Sequence, residues 1–282
     1  MNSAKPNTIH DGGRYFEGPR WHEGRLWFVD CWARTLLSLA PSGACEQHAK
    51  FDDTPCGLGI LPDGRLIVLT MFRKRLLAYS NGELSLYADL SDIATGTIDD
   101  MIVDGLGRAW VGDLGFDLPP TGDHGAVGRI ILVMPDGARR VVAEGLRFPN
   151  GIAVSPHNDR LVVAEMDGAC LADYDIAADG GIKLRGRFGS MKSPDGICLD
   201  ADGAVWVAAF EEDAFIRLDR EGRELQRIEV PGRRALACVL GGPEGRTLFC
   251  LSAATSYEEL RQRKSSSRID AVEVEIAGAG YP

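Results

Sequence analysis

The chain has 282 residues, 45% hydrophobic and 26% charged, an ordinary balance for a globular protein and enough length to bury a large core. A net charge of −10 and a pI near 5.0 work against nucleic acid and anionic membrane surfaces, whose recognition needs basic patches. No apolar run approaches the roughly 18 residues of a transmembrane span, residues 1–15 show no apolar core of a secretion signal, and seven cysteines without CxxC spacing are expected to be buried thiols in a reducing cytoplasm.

Taken in chain order, one short phrase recurs six times: an apolar strand, a turn ending in Gly or Asp, and a second apolar strand. It reads EGPRWHEGRLWFVD from Glu17, CGLGILPDGRLIVLT from Cys56 and DDMIVDGLGRAWVGD from Asp99. The later copies are NGIAVSPHNDRLVVAE from Asn150, DGICLDADGAVWVAA from Asp195 and ACVLGGPEGRTLFCL from Ala237. Runs such as Arg65 to Leu69 and Ala204 to Ala208 alternate with period two. The Asp-Gly and Glu-Gly pairs between runs suit tight antiparallel hairpins. The turn residues Gly24, Gly64, Gly107, Asp159, Gly203 and Gly245 are separated by 40, 43, 52, 44 and 42 residues, within the ~40 to 50 of four-stranded propeller blades. Six blades of about 47 residues fill the chain, so the expected fold is all-β, a single six-bladed β-propeller domain over residues 1–282.

The one long spacing holds a Gly- and Pro-rich insertion, residues 112–129, placed to lie over one face as a lid or to pass as a solvated excursion. Residues 256–268 form the most polar segment, with Glu258 to Lys264 read as one short helix or a loop and its basic cluster as a solvated face. The last strand, Ile269 to Ile276, is expected to close the ring by pairing with N-terminal sequence, because an open blade leaves exposed edges.

Aligning the copies puts Glu17, Cys56, Asp99, Asn150, Asp195 and Ala237 in one equivalent place. In a propeller, the residue just before each innermost strand faces one mouth of the central channel. Asp or Asn before Gly is a common turn former, but the hairpin turns lie elsewhere in the phrase. Four oxygen-bearing side chains in register, Glu17, Asp99, Asn150 and Asp195, are therefore read as ligands of a hard divalent cation in the channel. Ca2+ suits the set best; Mn2+, Mg2+ and Fe2+ are alternatives, and Zn2+ another although no histidine or thiolate set recommends it. Cys56 and Ala237 are read as inert lining. Phe16, Phe72, Phe116, Phe148 and Met166 are candidate pocket walls, favouring an aliphatic or aryl substrate if several face the channel, and His124 is the one histidine placed to reach a pocket. No Ser stands in a G-x-S-x-G setting, so covalent serine catalysis is not expected.

Through EGPRW (17–21), FPNG (148–151) and PDGICLDADGAVWVA (194–208), essentially the whole chain resembles the family of senescence marker protein, gluconolactonase and luciferin-regenerating enzyme. The resemblance implies a six-bladed propeller whose matching Glu17, Asn150 and Asp195 hold a divalent metal, with a further ligand near Asp99. It also implies lactone hydrolysis, some members acting on phosphotriesters. Where sugar-lactone members hold substrate hydroxyls with an Arg and an Asn, this chain reads Thr97-Ile98-Asp99-Asp100. Thr97 and Asp100 are then the substrate contacts, together with Phe116 and Phe148. Three carboxylates against a dication leave one free to act as a base or to stay protonated. The expected function is a metal-dependent lactonase acting on a small-molecule lactone or ester, the metal serving as Lewis acid and Asp195 as general base, with Asp99 its rival. The alternatives are a phosphotriesterase at the same site and a non-catalytic propeller tied by a structural ion.

Overall fold

The computed structural model describes residues 6–119 and 122–280, so residues 1–5 of the segment read for a secretion signal and residues 120 and 121 of the insertion lie outside it. Six antiparallel sheets of four strands form the blades of a β-propeller. The chain opens with β1 (Asn7–Gly13), which belongs to the last blade. Blade one is β2 (Phe16–His22), β3 (Arg25–Asp30), β4 (Thr35–Leu39) and β5 (Cys45–Lys50). Blade two is β6 (Pro55–Ile60), β7 (Leu66–Thr70), β8 (Arg75–Ser80) and β9 (Glu83–Asp89). Blade three is β10 (Ile98–Val103), β11 (Ala109–Asp113), β12 (Gly128–Val133) and β13 (Arg139–Leu146). Blade four is β14 (Pro149–Val154), β15 (Arg160–Glu165), β16 (Cys170–Ile176) and β17 (Ile182–Phe188). Blade five is β18 (Pro194–Leu199), β19 (Val205–Ala209), β20 (Ala214–Leu218) and β21 (Glu224–Glu229), with a 3-10 turn over Phe210–Glu212. Blade six is β22 (Arg234–Gly241), β23 (Thr247–Ala254) and β24 (Ser266–Glu273), with α1 (Tyr257–Arg261) before β24.

Closure takes the expected form with different bounds, since β24 starts at Ser266 rather than Ile269 and pairs with β1 from Asn7↔Ala271 to Gly13↔Ser267. The Thr8 hydroxyl donates to Asp270 at 2.6 Å, so β1 is locked to the last blade by a side chain as well as by its ladder, and the Phe16 amide at the start of β2 donates to the Ser267 hydroxyl of β24 at 3.1 Å.

Burial runs from the hub outward. In blade four every residue of β14 and β15 is buried, β16 is mixed, and β17 has no buried residue. Face-to-face packing of blades covers both sides of the inner strands, which explains why LIVLT in β7 is buried throughout, with four apolar residues in a row rather than an alternation. Six apolar clusters hold the ring, each shared by two neighbouring blades. Leu69, Met101 and Val111 join blades two and three, for example, and Phe28, Val239 and Leu251 join blades six and one. Each fully buried Leu, Val or Phe contributes about 1.5–3 kcal/mol through the surface it removes from water.

Toward the axis the inner strands approach one another's backbones directly. A Cβ on Gly151 would stand 2.7 Å from the Ile197 nitrogen of the next blade, and one on Gly196 would stand 2.6 Å from the Ala237 Cα. Gly18 and Gly57 hold the same place in blades one and two. Gly151→Ala is expected to cost at least about 2 kcal/mol in urea unfolding, since its methyl meets backbone that cannot yield. Gly186→Ala, whose methyl meets nothing within 4 Å, should change stability by less than about 1 kcal/mol. Equal effects at the two positions would contradict this packing.

Candidate active site at the hub of the ring

Five of the six equivalent residues occupy the second position of an innermost strand: Glu17 in β2, Cys56 in β6, Asp99 in β10, Asn150 in β14 and Asp195 in β18, while Ala237 is the fourth of β22. They lie inside the strands rather than just before them. Each of these strands breaks register with its neighbour beside that residue, as between Glu17 and Arg20, Pro149 and Ile152, and Pro194 and Ile197. A bulge re-aims the side chain next to it. Phe148 and Ser193, two residues ahead of Asn150 and Asp195, take left-handed backbone at φ 55° and 50°. Such strain costs about 1–2 kcal/mol for each non-glycine residue, and it recurs at matching places in blades four and five.

Glu17, Cys56, Asp99, Asp100, Phe148, Asn150 and Asp195 all line one cavity of about 510 Å³. Glu17, Asp99, Asn150 and Asp195 are each 9% exposed or less. Burial, then Asp195 and other neighbouring acids, pushes the Glu17 carboxyl well above the usual range. Burial, then Asp99 and Asp100, does the same to Asp195, opposed by hydrogen bonds from the Asn150 side chain and the Gly196 backbone. Asp99 is raised less, because the Cys56 thiol donates to its Oδ1 at 2.9 Å. Cys56, read as inert lining, is thus a hydrogen-bond donor. Its own pKa is driven up, first by its bond with Cys31 and then by burial, which keeps it a neutral thiol.

Below this group Arg20 crosses the channel from blade one, donating to Pro19 O at 2.7 Å and to Met101 O at 2.6 Å, with its guanidinium 3.9 Å from Asp100. Asp100 stands where blades one, two, four and five have glycine. Its carboxylate accepts from the Met101 amide at 2.6 Å and the Ile152 amide at 3.3 Å. Burial raises its pKa to about 6 against the lowering effect of Arg20. These contacts make Asp100 part of the floor.

The donor set, three carboxylates and an amide oxygen, fits a hard cation in kind, and the dominant influences on Glu17 and Asp195 are burial and like charge, which a divalent ion relieves. Among the described residues no three His, Cys, Asp or Glu side chains converge closely enough to form a ready metal cage. The four side chains share a chamber without being drawn together in it.

The walls are apolar: Tyr15, Trp32, Met71, Phe72, Leu118, Pro119, Phe148, Met166, Phe210 and Leu260. Phe72, Phe148 and Met166 therefore stand where the sequence placed them. Phe16 is instead buried between blades one and six, and Ala237 packs under Gly196. Thr97 and Phe116 do not reach the cavity. Thr97 is buried, its hydroxyl accepting from the Leu118 amide at 3.1 Å, and it anchors the insertion. Phe116 stacks on His124 with centroids 4.1 Å apart and meets Phe148 edge-on at 5.6 Å, so it buttresses the wall. His124 likewise stays behind that wall.

Two groups escaped the sequence reading. Cys31, Trp32, Met71 and Phe210 directly follow the second strands of their blades and line the cavity, as the expected Phe72 and Met166 do. The same repeat alignment, carried one strand further, marks them. The second group comes from 256–268, read as a solvated face, since Tyr257, Leu260, Arg261 and Arg263 border the cavity. Leu260 turns inward to pack near Phe210, Leu236 and Ala253, which draws the segment over the mouth.

Residues 16–254 match the family model described as the SMP-30/Gluconolactonase/LRE-like region. Pentonolactonase XacC of Haloferax volcanii is 27% identical over 280 residues, covering 95% of this chain and 93% of that protein. The 6-deoxy-6-sulfogluconolactonase of Pseudomonas putida is 28% identical over 295 residues, covering 100% and 99%. Among solved structures, the calcium-binding protein regucalcin of Agrobacterium tumefaciens superposes with a TM-score of 0.78 at 21% identity, covering 99% of this chain and 97% of that one.

A carboxyl whose pKa is higher folded than unfolded binds its proton more readily in the native chain, so stability falls as pH rises through and above the ordinary carboxylate range of about 4. In chelator-treated protein, Asp195→Asn should therefore raise the melting temperature at pH 8, by about 2–4 °C per kcal/mol of repulsion removed, and change little at pH 4. A variant that melts lower at pH 8 would contradict the reading of crowded like charges.

Proposed function

The chain belongs to the SMP-30/gluconolactonase/LRE-like family, and from that premise we propose that it is a metal-dependent lactonase whose active site is the acidic end of the hub cavity. The observation that carries the reading is the meeting of four oxygen-bearing side chains, from blades one, three, four and five, on one cavity with apolar walls. Lactonases among the related proteins support the reaction class.

Glu17, Asn150, Asp195 and Asp99 would hold one divalent ion, and their oxygen chemistry favours Ca2+. When bound, such an ion polarises the lactone carbonyl and stabilises the negative charge that develops on its oxygen. The chain's own groups supply the rest. Asp195, buried in the cavity, is the general base, the Asn150 side chain orienting its carboxylate. It takes a proton from the water that attacks the carbonyl carbon. When the ring C–O bond breaks, the same proton passes to the departing oxygen, so lactone and water give a hydroxy acid. Asp99 is the weaker base because its Oδ1 is held by the Cys56 thiol. Arg20 and Asp100 hold the floor in place.

The aromatic and aliphatic walls hold the body of the substrate and exclude bulk water, favouring a ring with an aliphatic or aryl substituent over a fully hydroxylated sugar lactone. Seven free thiols support a reducing compartment, the cytoplasm, as the place of work.

The test is turnover of a lactone panel by purified protein. Chelation should abolish hydrolysis and added Ca2+ restore it, and Asp195→Ala should lower kcat by about a thousandfold with the fold retained. Hydrolysis undiminished by chelation, or by Asp195→Ala, would overturn the assignment.

A further inference from the structure

The cavity has two chemically opposite ends. At the floor stand Glu17, Asp99, Asp100 and Asp195; at the mouth stand Arg261 and Arg263. On a chain of net charge −10 most arginines near an acid pair with it, as Arg129 does with Asp113 and Arg217 with Asp200. Neither Arg261 nor Arg263 makes an ion pair or a side-chain hydrogen bond among the described residues. Arg261 and Arg263 are exposed while Glu17, Asp99 and Asp195 are buried, so the cations stand at the solvent end of the cavity and the acids at its closed end.

The segment that carries these arginines is built to hold a shape. Ser256 and Glu259 form a reciprocal capping box on α1. The Arg263 amide donates to Leu260 O at 2.9 Å, the Lys264 amide to Glu259 O at 2.8 Å, and the Thr255 hydroxyl to Lys264 O at 3.0 Å, closing the turn into a clasp. Tyr257 ties the clasp to blade five through a 2.5 Å hydrogen bond from its hydroxyl to Glu211, and Leu260 anchors it on Phe210 and Leu236. Arg263 itself sits in left-handed backbone at φ 55°, a conformation the surrounding turn must hold.

We propose that Arg261 and Arg263 are specificity-determining residues that bind a terminal oxyanion on the substrate, so that the preferred lactone carries a carboxylate, sulfonate or phosphate monoester on the side remote from its ring carbonyl. The inference rests on the lactonase reading and deepens it. Guanidinium groups match such oxyanions with paired, charge-assisted hydrogen bonds. Three carboxylates around a dication still leave the floor with a net negative charge, so an anionic tail is attracted to the rim instead, which sends the ring in first and leaves the tail outside. The apolar walls then hold the stretch between ring and tail.

Matched pairs of lactones test this: one ring, one aliphatic or aryl linker, ending in a carboxylate or in its primary amide. The wild type should favour the carboxylate by about tenfold in kcat/KM, expressed mainly in KM. The ratio should collapse to about one in the Arg261→Gln, Arg263→Gln double variant, recover in part with lysines at both positions, and shrink as salt is raised. No preference in the wild type, or a ratio unchanged in the double variant, overturns the proposal. Calorimetric binding of the non-hydrolysable lactam carrying the same carboxylate, against its amide, gives a second readout. If no lactone is hydrolysed the lactonase reading fails, whereas tighter binding of the charged lactam that is lost in the double variant still supports the rim site. Equal binding of the two lactams overturns it.

Discussion

Like charges buried together at the axis are the constraint on which the rest of this molecule depends. The innermost strands come so close that glycine is the residue that fits between the blades at Gly151 and Gly196. Whatever precedes those glycines is carried to the same chamber. In this chain that is Asn150 and Asp195, joined by Glu17 ahead of Gly18 and by Asp99 ahead of Asp100. Desolvation and mutual repulsion disfavour the ionised forms of Glu17 and Asp195. The six interblade cores supply the stability that offsets this cost. A ring closed by β1 on β24 gives the acidic end no easy way to relax by opening. The molecule therefore keeps a group of oxygen donors buried at its axis.

The hub was legible in the sequence because it follows the repeat. A period of about 40 to 50 residues fixes the number of blades, and one residue of the phrase, read across the copies, gives the floor of the cavity. The position within the strand differs by two residues from the expected one, and each inner strand is bulged beside the residue that it presents. A bulge changes side-chain direction without altering composition. The walls were less legible. Trp32, Met71 and Phe210 read as ordinary apolar residues after a strand, and only their shared place at the strand ends sets them apart from core.

What broke the repeat was hardest to read. Thr97 and Phe116 sit beside the functional motif in sequence, yet they face away from the cavity to hold the insertion and to brace Phe148. Arg20 lies in the EGPRW motif, but its span across the channel to Met101 depends on how blades one and three face each other, which spacing does not reveal. The polar composition of 256–268 points to solvent. A capping box, one inward leucine and one tyrosine–glutamate bond fold it over the cavity instead. Each miss is a tertiary contact made by a residue whose local pattern says something else.

Calorimetric titration of Ca2+ into chelator-treated protein asks whether the acidic hub holds an ion without assuming any reaction. One ion should bind per chain in the wild type, and binding should weaken by at least about 2 kcal/mol in Glu17→Gln, which removes a carboxylate and keeps the side chain's shape. A wild-type protein that takes up no divalent ion at millimolar concentration, or a Glu17→Gln variant that binds as tightly as the wild type, would contradict it.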